Sequence, residues 1–181
     1  MSEELHSANP GKQLVRTVDG VDYQRIPVKT HLITNKDDYA DVVVKYAKDK
    51  MQDGDILFCS EKSVACTQNR AIPMEDIKPR KLAVTLSRYV TKTPAGIGLG
   101  IPETMEMALR ECGTLRILFA ASCSVIGKLL RRKGWFYIVA GPKARGIDGP
   151  TEGTIPPYDH YVDLTPADPM GTTRRLAQAL G

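Results

Sequence analysis

Segments of strand-like composition alternate along this chain with segments of helical periodicity, and this alternation is its most constraining feature. Val42, Val43, Tyr46 and Ala47 recur at the spacing of one helix face, whereas Tyr158–Leu164 alternates as a half-buried strand does. Glycine and proline separate many of these segments. Interleaved helices and strands are typical of a mixed α/β domain, so we predict a mixed sheet with flanking helices.

Helical signals occur in four segments. Asp37 or Asp38 is a capping residue for the first of them, and Pro102 and Gly113 bracket the third as a first-turn proline and a terminating glycine. The predicted helices span about 38–51, 79–90, 102–112 and 167–180.

Apolar, β-branched or aromatic composition predicts strands elsewhere. The predicted strands are Tyr23–Thr34, Ile56–Ser60, Ser63–Gln68, Leu115–Ala121, Trp135–Ala140 and Tyr158–Leu164. Pro27 indicates that the first of them is an edge strand, because proline cannot donate a backbone hydrogen bond.

Length and patterning limit the classes of protein to which this chain can belong. Its 181 residues suit one domain, which we place at 21–181 after a flexible, polar leader at 1–20. The leader has no apolar core of the secretory type, and the apolar run Ile117–Leu130 is too short and too interrupted to span a bilayer. We therefore expect no membrane partner.

Charge and cysteine usage narrow the choice further. A net charge of +4 is mild, and no aromatic residues interleave with the basic cluster at 128–133, so we expect no nucleic-acid partner. The four cysteines form no CxxC pair, which argues against a zinc site. Reduced thiols fit a cytoplasmic location.

In the segment Gly54–Lys62, the apolar stretch Ile56–Cys59 is followed by the polar residues Ser60, Glu61 and Lys62, and Arg70 comes eight positions later. Lys62 and Arg70 are candidates for binding phosphate oxygens, because each supplies fixed positive donors. The alternative is that both are solvated surface cations.

The segment Thr91–Pro102 has glycine at alternate positions just before a predicted helix. Such a loop can bring backbone N–H groups close to an anion, and Lys92, Thr91 and Thr93 suit phosphate. Its spacing matches neither a Walker A nor a GxGxxG motif. A tight connection that needs positive φ angles is the alternative reading.

The segment Gly141–Thr151 is a long loop in which Asp148 lies between two glycines, Gly146 and Gly149. Long loops are often functional, and an exposed carboxylate there is a candidate ligand for Mg²⁺ or Mn²⁺. A turn aspartate that bonds its own backbone is the alternative.

Taken together, these motifs resemble those of the coenzyme F-420-0:L-glutamate ligase family. The resemblance runs from about Ile26 to the end of the chain. Its middle part, from Thr91 to Glu106, looks like a bacterial branch of the family. It rests on the motifs Gly54-Asp55-Ile56-Leu57, Ser60-Glu61-Lys62 with Arg70, Gly146-Ile147-Asp148 and Asp168-Pro169.

The resemblance implies a GTP-dependent ligase that joins a small-molecule carboxylate to the amine of glutamate through an acyl phosphate. It implies that Asp148 binds the divalent metal, Mg²⁺ or Mn²⁺, with Thr151 as a further oxygen ligand. It also implies a homodimer. The expected nucleotide-binding residues are Ile26, Pro27, Val28, Ser60, Glu61, Lys62 and Arg70, with Lys92 and Thr93 added from the glycine-rich segment.

The sequence departs from the family pattern in ways that leave other functions open. Cys66 stands where the family often has a lysine, and Thr151 stands where it has an asparagine. The family's second metal aspartate is expected beyond Gly181, so we expect this chain to need another segment or subunit for catalysis. The alternatives are a non-catalytic module that binds a nucleotide or phosphorylated ligand, and a structural, oligomer-forming remnant.

Overall fold

The structure, a computed structural model, describes residues 8–90, 97–132, 134–151 and 153–181. Within these ranges the chain forms eight α-helices, several 3-10 turns and four short strands, which confirms the mixed α/β class. The helices are α1 Tyr39–Ala47, α2 Glu61–Thr67, α3 Lys81–Ser87, α4 Pro102–Cys112, α5 Thr114–Leu129, α6 Trp135–Ala140, α7 Pro142–Arg145 and α8 Pro169–Leu180.

The described strands form two antiparallel pairs. β1 (Val15–Val18) pairs with β2 (Val21–Gln24) in an exposed hairpin, and β3 (Ala71–Pro73) pairs with β4 (Tyr161–Asp163). The hairpin lies across the predicted boundary between leader and domain, and the division at residue 20 stays a prediction.

The four predicted helices are confirmed as α1, α3, α4 and α8, and local signals explain their ends. Asp38 caps α1 by accepting a hydrogen bond from the Ala40 N–H. Pro102 occupies the first turn of α4, and Gly113 ends that helix with a φ of +86°.

Two predicted strands, Leu115–Ala121 and Trp135–Ala140, are helical and the predictions are wrong. The first lies within α5, whose buried positions Ile117, Ala120 and Gly127 recur at helical spacing. A Cβ on Gly127 would lie 3.1 Å from the ring of Trp135, so the glycine lets α6 pack closely on α5. Packing between the two helices therefore outweighs the β propensity of the aromatic segment.

The remaining predicted strands survive only in part. Tyr23–Gln24 belongs to β2, whereas 25–34 and 56–60 have no regular structure. Ser63–Gln68 falls mostly in α2, and Tyr158–Leu164 is a 3-10 turn followed by β4. These segments are short, and a short apolar run does not distinguish a strand from a buried helical turn.

Two clusters of buried side chains hold these elements. The larger one holds together the five helices from α3 through α7 with β4, and it includes Met105, Leu109, Ile117 and Val162. The smaller one joins α1, α2 and α8. β4 contributes Val162 to the larger cluster, and α2 contributes Val64 to the smaller one. Other side chains of β4 and α2 can therefore meet between the two clusters.

Membrane-crossing helices were sought in the part of the chain that the structure describes. No single helix there is long and apolar enough to cross a bilayer. α4 and α5 reach the required length and composition only when taken together, and they are bent by 115° where they meet.

Candidate active site

The ammonium group of Lys62 lies between two carboxylates. Lys62 is in the first turn of α2, and its Nζ atom is 3.4 Å from Asp148 Oδ2 and 3.1 Å from Asp163 Oδ2. We call these three residues the Lys62 cluster. Sequence analysis had selected Lys62 and Asp148 from segments more than eighty positions apart, and the fold brings them together.

Asp148 is held in the Lys62 cluster by its backbone. Its N–H and C=O exchange hydrogen bonds of 3.0 and 2.9 Å with Asp163, which lies at the end of β4. Asp148 Oδ1 accepts from the Gly149 N–H at 2.9 Å and from the Gly98 N–H at 3.4 Å. One carboxylate oxygen is thus tied to backbone, as the turn interpretation expected, while the other faces Lys62.

The contact with Gly98 places the end of the glycine-rich segment at the Lys62 cluster. Gly98 has a φ of +50°, and a Cβ there would lie 3.5 Å from the hydroxyl of Tyr137. Burial raises the pKa of Tyr137, and the charge of Asp148 acts in the same direction. A Cβ would fit at that distance from the hydroxyl, so the positive φ is what favours glycine at position 98.

Asp163 is a member of the cluster that sequence analysis missed. It is 4% exposed, between the buried Val162 and Leu164, and its Oδ1 atom has no hydrogen-bond partner among the described residues. Burial raises the pKa of this carboxyl, and Lys62 opposes the shift only in part. No local signal distinguishes it, because the predicted strand Tyr158–Leu164 also contains Asp159 and His160.

Lys62 remains positively charged in this setting. Partial burial acts to lower its pKa, but the hydrogen bond and charge of Asp163, with those of Asp148, outweigh burial and raise the pKa above its usual range. The site therefore presents a cation next to two acidic groups.

Cys66 lies one helical turn after Lys62 on α2 and is buried. Burial raises the pKa of its thiol, and the negative charge of Asp163 acts in the same direction. Burial also raises the pKa of Tyr158 to about 12, with further contributions from the neighbouring Cys66. Both groups are thus neutral at physiological pH, and they add no charge to the site.

Comparison with known proteins identifies the family. The model of the F420-0:Gamma-glutamyl ligase family matches residues 27–181. The chain belongs to this family. Searches of curated proteins and of solved structures found no match.

Other residues expected to serve the ligase site lie in different surroundings. Arg70 donates to the Thr165 carbonyl and pairs with Glu111, so it links β3 to α4. Thr151 forms a hydrogen bond of 3.0 Å with Thr154. Ser60 and Glu61 are exposed at the start of α2.

The segment Ile26–Val28 has no regular structure, precedes α1, and exposes Ile26 and Pro27. Lys92 and Thr93 lie outside the described residues. The roles of all these residues in binding nucleotide or metal stay predictions.

The Asp168-Pro169 motif of the ligase family has a structural explanation here. Asp168 caps α8 by accepting a hydrogen bond of 2.9 Å from the Gly171 N–H, and Pro169 occupies the first turn. A Cβ on Gly171 would lie 2.0 Å from Asp168 Oδ2, so a larger residue there would displace the capping side chain from this position. A cavity of about 310 Å³ beside this cap is lined by Asp38 and Arg175, which pair with each other.

The donor atoms at the Lys62 cluster suit the divalent cation implied by the family. In the described ranges, no group of three or more His, Cys, Asp or Glu side chains is arranged to hold a metal. The carboxylates of Asp148 and Asp163 nevertheless converge on one cation. Mg²⁺ is commonly held by one or two carboxylates together with substrate phosphates, so this set fits.

Replacement of Gly146 by alanine is expected to distort the loop that carries Asp148. The new Cβ would lie 2.3 Å from Thr165 Oγ1 and 2.9 Å from Glu61 Oε1. We expect Gly146→Ala to reduce the free energy of unfolding by about 2 kcal/mol through overpacking, measured by urea denaturation. Thr165→Ala, which removes the nearest atom, should restore about 1 kcal/mol in the double variant. Purely additive effects would show that the contact with Thr165 is not the cause.

Proposed function

We propose that this chain binds the nucleotide and metal of a ligase that joins a substrate carboxylate to the amine of glutamate. Family membership supports the gamma-glutamyl ligase class. The structural observation that carries the proposal is the Lys62 cluster, where Lys62 Nζ lies 3.4 Å from Asp148 Oδ2 beside the Gly98 N–H. A cation, a carboxylate and a backbone donor at one place suit a metal-bound phosphate chain.

The proposed reaction has two steps. A carboxylate oxygen of the substrate attacks the γ-phosphorus of GTP, and GDP leaves with the electrons of the broken P–O bond. The glutamate nitrogen then attacks the carbonyl carbon of the acyl phosphate, inorganic phosphate leaves, and the nitrogen loses a proton. Because the reactants carry several negative charges, positioning and charge neutralisation supply much of the rate.

The residues of the Lys62 cluster have distinct proposed roles. Lys62 neutralises phosphate oxygens that approach the site, and the Gly98 N–H orients Asp148. Asp148 would hold Mg²⁺ or Mn²⁺, which when bound stabilises negative charge on the transferring phosphoryl group. Glu61, exposed next to Lys62, is retained as a nucleotide-binding candidate.

Trapping with hydroxylamine tests the proposal. The full chain is incubated with coenzyme F-420-0, GTP and Mn²⁺, with hydroxylamine in place of glutamate. In this proposal the chain itself carries out the phosphoryl transfer, without the further segment or subunit expected from the family pattern. A GTP-dependent hydroxamate, detected by mass spectrometry, is then the expected product, because hydroxylamine intercepts an acyl phosphate. With glutamate present, we expect the substrate to gain one glutamyl residue. Omission of GTP is the control.

The second candidate is a non-catalytic nucleotide-binding module. The burial of Cys66, at the position where the family often has lysine, favours it. It predicts that GTP binds, as seen by calorimetry, while neither hydroxamate nor inorganic phosphate is released. Failure to bind GTP with or without Mn²⁺ would contradict both candidates.

The proposed assembly is a homodimer in the cytoplasm. Light scattering of the purified chain measures the mass directly, and a monomer at every concentration tested would contradict the dimer. Scattering in the presence and absence of GTP and Mn²⁺ also tells whether the ligands alter the assembly.

A further inference from the structure

The carboxylate of Asp163 is unusual because it is buried and only partly satisfied. Its side chain is 5% exposed, and Oδ2 pairs with Lys62 at 3.1 Å. Oδ1 is buried without a hydrogen-bond partner in the described part of the chain. Burying an acceptor without a partner costs free energy, and more so when the group is charged. The fold alone does not account for an acidic residue at this position.

The neighbouring Asp148 adds to the excess of negative charge. The backbones of Asp148 and Asp163 are paired, which holds two acidic side chains next to each other. Like charges on directly paired residues are destabilising. Among the described residues, the Lys62 ammonium is the one cation that pairs with both carboxylates, so two acidic groups face one cation. The arrangement is suited to a cation with a charge of +2.

Exchange of the cation is geometrically feasible. The side chain of Lys62 is 41% exposed and that of Asp148 is 30% exposed, so the ammonium can move into water without unfolding α2. Asp163 lies on β4, which pairs with β3, and its side chain is only 5% exposed, so its carboxylate has little room to move. The mobile partner is the lysine, and the fixed partners are the two acids.

We propose that Asp163 and Asp148 together bind a divalent cation such as Mg²⁺ or Mn²⁺, and that Lys62 occupies their shared position when the cation is absent. This inference rests on the proposed function for the presence of a metal. It adds Asp163 as a second protein ligand and Lys62 as a competitor of the metal within the protein. Hard divalent cations prefer carboxylate oxygens, and affinity rises with the number of charged ligands.

Titration of Mn²⁺ into the full chain without nucleotide tests both parts, with free Mn²⁺ followed by electron paramagnetic resonance. We expect Asp163→Asn to weaken Mn²⁺ binding at least about tenfold, because loss even of a residue that supports a ligand has effects of this size. We expect Lys62→Gln to strengthen binding by about fivefold or more, because it removes the competing ammonium.

Matched controls separate these effects from general changes in charge. Asp159→Asn removes an acid four positions before Asp163, and Lys45→Gln removes an exposed lysine of α1, whose ammonium lies over the Tyr46 ring. Neither control should change the affinity by more than about twofold, since Lys45 is exposed and the side chain of Asp159 is 35% exposed, so that solvent screens both charges.

The outcomes distinguish this inference from the proposed function. If Asp163→Asn binds Mn²⁺ as tightly as the unmodified chain, or if Lys62→Gln binds it no better than Lys45→Gln, the inference is wrong. The ligase proposal is then still judged separately by GTP-dependent hydroxamate. Conversely, opposite shifts in the two variants without any hydroxamate would support the cation site and contradict the ligase reaction.

Discussion

Replacement of Glu106 by alanine is expected to cause a large loss of stability. Glu106 lies in α4 and is 2% exposed. It accepts hydrogen bonds from the Arg80 backbone N–H at 3.1 Å and from Arg110 Nε at 2.9 Å, and both of its oxygens pair with Arg80 Nε. Arg80 directly precedes α3, so this carboxylate joins the start of α3 to α4.

The expected loss in the free energy of unfolding is about 3 kcal/mol, the lower end of the range for a broken buried ion pair. The lower end applies because the side chains of Arg80 and Arg110 are 49% and 46% exposed and can turn to water. The remaining loss comes from the backbone N–H of Arg80, which is left without an acceptor, and from the cavity left by the Glu106 side chain. Urea denaturation followed by circular dichroism measures it.

The pH dependence provides a second readout. Burial acts to raise the pKa of Glu106, but the hydrogen bonds and charge of Arg80, with the hydrogen bond of Arg110, outweigh it and lower the pKa. The native state therefore binds this proton less tightly than the unfolded state does. The stabilisation is present above the ordinary pKa of glutamate and is lost as the pH falls through the native value. Glu106→Ala should abolish that part of the acid sensitivity.

Glu103→Ala is the matched control, since Glu103 lies one turn earlier on α4 near the positive end of the helix dipole. It should cost no more than about 1 kcal/mol. Equal losses in the two variants would show that the ion-pair network contributes little.

Helix ends could be predicted because their signals are local. Asp38 before α1, Pro102 and Gly113 around α4, and Asp168 before α8 each act within a few residues of their own position. The sequence therefore contains all the information needed to place them.

Strand predictions failed where tertiary packing decides between conformations. Trp135–Ala140 is rich in residues that favour strands, yet it forms α6 against the small residues of α5. The closeness of that packing depends on Gly127, which lies outside α6, eight positions before Trp135. Periodicity within one segment contains no such information.

The residue types of the candidate site could be predicted from the sequence, but the contacts between its residues could not. Lys62 and Asp148 were selected because lysine and loop aspartate suit phosphate and metal. Asp163 was missed because an alternating strand offers no reason to single out one polar residue. Its importance depends on the backbone bridge to Asp148, a contact between a loop and β4 that no local pattern specifies.

Replacement of Asp148 by asparagine is expected to abolish most of the ligase activity while leaving the fold intact. Asparagine keeps an oxygen that can accept from Gly149 and Gly98, and the pairing of Lys62 with Asp163 at 3.1 Å is untouched. The change replaces the oxygen that faces Lys62 with an uncharged NH2 group and so removes the negative charge there. We expect the free energy of unfolding to change by less than about 1 kcal/mol, because buried contacts are preserved.

The expected loss of GTP-dependent hydroxamate formation is about a thousandfold. Stabilisation of transition-state charge by a metal contributes several kcal/mol, and each 1.36 kcal/mol is about tenfold in rate. Asp168→Asn is the matched control: it changes an aspartate of another family motif in the same way, but asparagine caps a helix as well as aspartate does. That variant should keep its activity. If Asp148→Asn retains more than about a tenth of the activity, the lost charge contributes under 1.4 kcal/mol, and Asp148 does not hold the metal during phosphoryl transfer.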